Sequence, residues 1–202
     1  YSEFFDNEDV VLRVKTHGTK RQVAEEIAKY RNSTVRLTAI YDSNAKIHKT
    51  SPLKPKCTLE LDTSKLSEKQ MINYFQNYDL YASATKGEGF GLTIAQAGLS
   101  GLPIVCPNKG GHLDFCPSES YTVDSFTARI PDSLSREFYT GYNMYLYQVD
   151  YVDLKKKLRT AYEDWKSGKL LAKGKRTREH MLEALSSEKI HNSIEKIIEE
   201  IK

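Results

Sequence analysis

Ala84-Thr85-Lys86-Gly87-Glu88-Gly89-Phe90-Gly91-Leu92-Thr93-Ile94-Ala95-Gln96-Ala97 is the stretch on which the reading of this chain turns. The apolar run Leu80-Tyr81-Ala82-Ser83-Ala84 leads into it and predicts a short buried strand. Glycines at 87, 89 and 91 make a loop, and Leu92 to Leu99 has the apolar and small-residue pattern of a buried helix. Gly101 and Pro103 predict the end of that helix, and Pro103-Ile104-Val105-Cys106 the next strand. Strand, glycine loop, helix and strand make one βαβ unit with a right-handed crossover.

The loop has a readable chemistry. Glycines let the backbone approach a ligand with no Cβ between them. A helix starting there presents unpaired N–H groups and the positive end of its dipole, which together favour an anion and phosphate above all. Glu88 adds an acceptor-only carboxylate, better matched to a sugar hydroxyl than to a second anion. A phosphorylated sugar or a nucleotide sugar satisfies both. On glycine spacing alone, a tight turn that serves only helix–strand packing is the competing reading.

A longer pattern surrounds the loop. Glu88-Gly89-Phe90-Gly91-Leu92-Thr93-Ile94-Ala95-Gln96-Ala97 is followed by Ser100-Gly101-Leu102-Pro103-Ile104-Val105 and by Gly110-Gly111-His112-Leu113-Asp114. Upstream stand Leu66-Ser67-Glu68-Lys69-Gln70-Met71 and Tyr78-Asp79-Leu80-Tyr81. This order resembles the C-terminal, nucleotide-sugar-binding domain of retaining glycosyltransferases of the GT-B fold and GT4 type, over about residues 55 to 125. The resemblance implies a Rossmann-like parallel sheet with helices on both faces, ending in two or three helices. It implies transfer of a sugar from a donor such as a GDP- or UDP-hexose, with retention and without a metal or other cofactor. Glu88 would contact the donor sugar. The N–H groups of Gly89, Phe90, Gly91, Leu92 and Thr93 would hold the diphosphate. Lys65 and Leu66 lie where the family places the nucleobase. Gln96 stands where the family has a second glutamate, which binds the ribose; glutamine keeps the reach and loses the charge, so ~10-fold in affinity is at stake. That departure motivates the alternative of a non-catalytic interaction or regulatory module that keeps the fold.

The resemblance also implies partners. The acceptor, a glycan or another molecule, binds the N-terminal half of a GT-B enzyme, and a basic pair at the start of the C-terminal half grips the diphosphate. The chain starts after that point and at Tyr1, so residues 1–202 are expected to be one donor-binding domain, N-terminally incomplete and inactive alone, with 152–202 as its helical end.

Composition narrows the class. An apolar share of 39% and a charged share of 28% fit a folded globular domain and argue against a disordered chain. A net charge of +3 gives no case for nucleic acid, although the basic stretch Lys169, Lys173, Lys175, Arg176 and Arg178 leaves contact with an anionic membrane surface open. Three cysteines without CxxC spacing predict reduced thiols and a cytoplasmic location. There is no apolar run of spanning length, no Cys/His metal ladder and no P-loop motif. His112 is attractive because it follows a glycine pair, but a lone histidine is more often structural.

The rest of the chain alternates. Strands are predicted at Val10–Val14, Val35–Ile40, Cys57–Leu61 and Tyr121–Val123, and helices near Tyr1–Asn7, Arg21–Tyr30 and Glu68–Gln76. Asp42–Lys56 reads as a polar loop, and Asp124–Asp150 as a long, tyrosine-rich break. Three helices follow: Val152–Lys166, Leu170–Leu185, and one capped by Ser187 with Ile190, Ile194, Ile197, Ile198 and Ile201 on one face. Ligands of open α/β sheets bind beyond the carboxyl ends of the strands, so Glu88 and Gly110 should share an edge.

Overall fold

The computed structural model describes residues 10–16, 37–41, 47–49, 57–130 and 144–201. The helices expected at Tyr1–Asn7 and Arg21–Tyr30, and Tyr139 and Tyr142 of the tyrosine-rich segment, lie outside them. The chain divides into two compact units, Tyr1–Glu68 and Lys69–Lys202.

The first unit holds one sheet of strands β1 (Val10–Lys15), β2 (Leu37–Tyr41), β3 (Ile47–Lys49) and β4 (Cys57–Asp62), in the order β1-β4-β2-β3. β1 and β2 run parallel to β4, and β3 is antiparallel to β2 at the edge. The expected loop at Asp42–Lys56 is thus interrupted by a strand, too short and polar to carry a hydrophobic alternation. At the carboxyl end of β4 the buried Asp62 carboxylate accepts the Ser64 N–H at 2.8 Å and faces Lys15 Nζ at 3.9 Å, the pairing a buried charge requires.

The second unit opens with α1 (Lys69 onward in Glu68–Phe75) and is organised by a parallel sheet of β5 (Tyr81–Ala82), β6 (Ile104–Pro107) and β7 (Tyr121–Val123), in that order. Helix α2 (Leu92–Leu99) makes the crossover from β5 to β6. The predicted βαβ unit is therefore present, with a first strand shorter than expected. β6 is buried along its length, as a central parallel strand must be. Its alternation sorts the core into two layers. Ile104 and Cys106 pack with Ile94, Ala95 and Ala97 of α2, with Phe75 and with Met181. Val105 packs on the other side with Tyr121, Val123, Val149, Ala161 and Leu170. Helices thus cover both faces, and the architecture is α/β and Rossmann-like. Burying each large aliphatic side chain contributes roughly 1.5–3 kcal/mol.

Helix α2 ends as its sequence dictates. Gly101 adopts φ +92°, its N–H bonds the Gly98 carbonyl, and Leu102 N–H bonds that of Ala97, a Schellman stop. The segment read as a break is ordered over its described parts: β8 (Ser125–Arg129) and β9 (Tyr145–Val149) form an antiparallel hairpin. Then come α3 (Tyr151–Lys166), α4 (Lys169–Ala184) and α5 (Ser187–Ile201). Asp150 caps α3 by accepting from Val152 and Asp153 N–H. For α5 the capping side chain is Ser186, whose Oγ accepts the Lys189 N–H, one residue before the expected Ser187. Its isoleucine face is as predicted and is exposed among the described residues. No described helix is long and apolar enough to cross a membrane.

The basic stretch on α4 is largely a set of internal ties. Arg176 makes a fork on Glu119 (2.8–3.1 Å), Lys173 donates to the Glu119 carbonyl at 2.9 Å and lies over the Tyr121 ring, and Arg178 donates to the Leu99 carbonyl. The Arg176 guanidinium holds the Glu119 carboxyl below its ordinary range. A depressed folded value means that the stabilisation is present at neutral pH and is lost as pH falls through it. Because the pair is largely solvated, screening keeps the effect small. Denaturant melts across the acid range should show Arg176→Ala losing part of the parent's acid-side slope, with no difference once Glu119 is protonated.

Candidate functional site

The glycine loop between β5 and α2 is built to expose donors. Gly91 sits at the N-cap of α2 at φ +91°, ψ +50°, where a side chain is strained, and it supplies no capping oxygen. Ala95 N–H makes the first helical bond by donating to Gly91 O at 2.9 Å. The N–H groups of Leu92, Thr93 and Ile94 have no acceptor among the described residues. No acidic residue occupies the first turn to balance the dipole. Phe90 and Leu92 are about half exposed or more, and Thr93 is exposed, so the turn faces solvent.

Glu88 lies across this helix end. A Cβ placed on Gly91 would meet Glu88 Cγ at 3.2 Å. Its carboxylate makes no ion pair or hydrogen bond among the described residues. Tyr81, the first residue of β5, donates to Thr93 Oγ1 at 3.0 Å. Burial, partly offset by that bond to Thr93, raises the pKa of its phenol above the ordinary value, and the Glu88 charge adds to the rise. Tyr81 therefore stays a neutral donor at the same corner. Sequence reasoning missed it; the available signal was its place in the strand leading into the loop. Gln96 is half-buried one turn into α2, on the face shared by Leu92 and Thr93.

The second glycine turn joins the first, as the shared-edge argument requires. Gly111 N–H bonds the Glu88 carbonyl at 3.1 Å, and a Cβ on Gly111 would fall 1.8 Å from Gly89 O. Gly111 begins a one-turn 3₁₀ segment, Gly111–Asp114. His112 within it is fully buried: Nε2 lies 2.9 Å from Pro107 O, and its Cβ would meet a Cβ on Gly91 at 3.0 Å. The imidazole thus wedges β6 against both turns, a structural role. Phe90 stacks obliquely on Phe115 with ring centres 4.9 Å apart. On the other side the hairpin holds the loop, because Tyr147 N–H donates to Lys86 O at 2.9 Å and Leu146 packs by Gly87. Lys86 itself is exposed. Lys65 is exposed and Leu66 half-buried; both belong to the first unit.

The class defined by these observations is an α/β domain with an uncapped helix N-terminus at a glycine loop and one unpaired carboxylate beside it. Among known proteins, a 37-residue stretch is 54% identical to the UDP-N-acetylglucosamine–peptide N-acetylglucosaminyltransferase GtfA subunit of Streptococcus parasanguinis. The stretch covers 18% of this chain and 7% of that subunit. Over that stretch the chain is related to a glycosyltransferase. No family model matches the chain.

Proposed function

We propose that the chain is the donor-binding part of a retaining, GT4-type glycosyltransferase of the GT-B fold. The observation that carries the reading is the uncapped N-terminus of α2, with three N–H groups lacking an acceptor and a glycine loop in front of them. The diphosphate of a nucleotide sugar is the anion that fits, held by Leu92 and Thr93 with help from the amides of Gly89, Phe90 and Gly91. Glu88 accepts from a hydroxyl of the sugar, and Gln96 from the ribose. Stabilising the leaving diphosphate with preorganised donors is the main catalytic term. No metal or cofactor is needed in this scheme. The related subunit's name specifies a UDP-sugar and a peptide, and we carry both over as the donor and acceptor classes. A second polypeptide half supplies the remaining acceptor contacts.

Glu88→Gln tests the assignment. Calorimetry should find UDP binding unchanged within about twofold and UDP-N-acetylglucosamine binding weakened ~10-fold, the difference between a charge-assisted and a neutral hydrogen bond. Equal losses for both ligands would remove Glu88 from the sugar. The non-catalytic reading, favoured by Gln96, predicts no nucleotide sugar bound at millimolar concentration.

A further inference from the structure

The β8–β9 hairpin has an open edge, and its register identifies the groups on that edge. Asp150 N–H bonds Asp124 O at 2.7 Å and Ile130 N–H bonds Met144 O at 2.9 Å, so the even-numbered residues of β8 are those hydrogen-bonded to β9. The odd-numbered residues of both strands turn their N–H and C=O outward. On β9 this phase is used: Tyr147 donates outward to Lys86 of the glycine loop. On β8 the outward groups are those of Ser125, Thr127 and Arg129, and no described residue bonds the backbone of Ser125 or Thr127. Phe126, between them, is 55% exposed, and neither proline nor lysine blocks the strand.

We propose that β8 is a docking edge for an extended segment of the acceptor polypeptide, which adds to the hairpin as a third strand. An unfilled ladder of alternating donors and acceptors is matched by extended backbone, and by neither a sugar nor a lipid. The occupant is a substrate peptide rather than a second copy because the sheet is continuous with the proposed donor site. Lys86, β9, β8 and the added strand lie side by side, which puts the docked segment three strand spacings, about 14 Å, from the glycine loop. A segment held there lets residues a few positions along the same peptide reach the loop. Backbone pairing fixes the peptide with little demand on its side chains, while Phe126 offers an apolar contact on one face. The edge stands on the register alone; only the word acceptor rests on the glycosyltransferase reading.

The test uses the full chain and a fluorescent, acetylated serine/valine peptide of about ten residues, one strand in length. Anisotropy should report saturable binding, and hydrogen exchange should slow at the amides of Ser125 and Thr127. N-methylation of alternate peptide amides should weaken binding at least tenfold in one of the two phases. Thr127→Pro removes an outward N–H and leaves the internal ladder intact, so it should weaken binding equally, whereas Thr127→Val should not. UDP binding, measured on the same samples, should be unchanged by Thr127→Pro. Absence of peptide binding, indifference to N-methylation in both phases, or concentration-dependent self-association removed by Thr127→Pro overturns the proposal. Peptide binding without UDP binding leaves the edge standing and sinks the glycosyltransferase reading instead. If Thr127→Pro fails to fold, the N-methylated peptides decide.

Discussion

Gly111→Ala is expected to lower the affinity for a uridine nucleotide by at least ~10-fold, a loss of ~1.4 kcal/mol or more. The added Cβ would sit 1.8 Å from the Gly89 carbonyl oxygen, and that oxygen belongs to backbone that cannot rotate away. The two glycine turns must therefore separate by more than an ångström. The bond from Gly111 N–H to the Glu88 carbonyl is lost, and with it the constraint that holds the glycine-loop amides in front of α2. Overpacking should also cost ~1–3 kcal/mol of stability. Gly89→Ala is the control for stability. A Cβ there meets nothing within 4 Å, and its melting midpoint should shift by less than the equivalent of ~0.5 kcal/mol. Calorimetry with UDP and thermal melts of both variants check the pair.

The second large effect is on folding. Gly174→Ala places a methyl 2.2 Å from the Gly101 carbonyl oxygen and 3.2 Å from Pro103 Cδ, where α4 crosses the turn between α2 and β6. Alanine in a helix interior is intrinsically favoured over glycine by ~1 kcal/mol, but the clash is with backbone and should exceed that gain. A net loss of about 1–2 kcal/mol and a fall of several degrees in melting temperature are expected. Gly98→Ala makes an equally short contact, 2.1 Å, but with Met181 Sδ at the end of a flexible side chain. It should cost clearly less than Gly174→Ala. If the two variants melt together, α4 does not pack on that turn as described.

These contacts also explain what could be read from the chain beforehand. The β5–α2–β6 unit was legible because Gly101, Pro103 and the apolar run of β6 are local signals. β7, at Tyr121–Val123, agrees with its prediction residue for residue. The meeting of the two glycine turns followed from topology, since both leave carboxyl ends of parallel strands. What was hidden depends on partners distant in sequence. β8 and β9 both alternate, but Ser125 pairs with Val149 without a short turn between them to announce a hairpin. The basic stretch left an anionic contact open because Arg176 and its partner Glu119 stand 57 residues apart. Tyr81 became a site residue only when Thr93 folded back over it. Ser186 and Ser187 are chemically equivalent caps, and one residue is within the ordinary uncertainty of a helix start. The roles of Glu88, Gln96, Lys65 and Leu66 come from the family resemblance.

Amide chemical shifts of the full chain during a titration with UDP test the central claim most directly. The account predicts saturable shifts concentrated at Leu92, Thr93 and Ile94, with downfield movement as their N–H groups acquire a phosphate acceptor. Unmoved Leu92, Thr93 and Ile94 amides at millimolar UDP, or shifts confined to other parts of the chain, would contradict it.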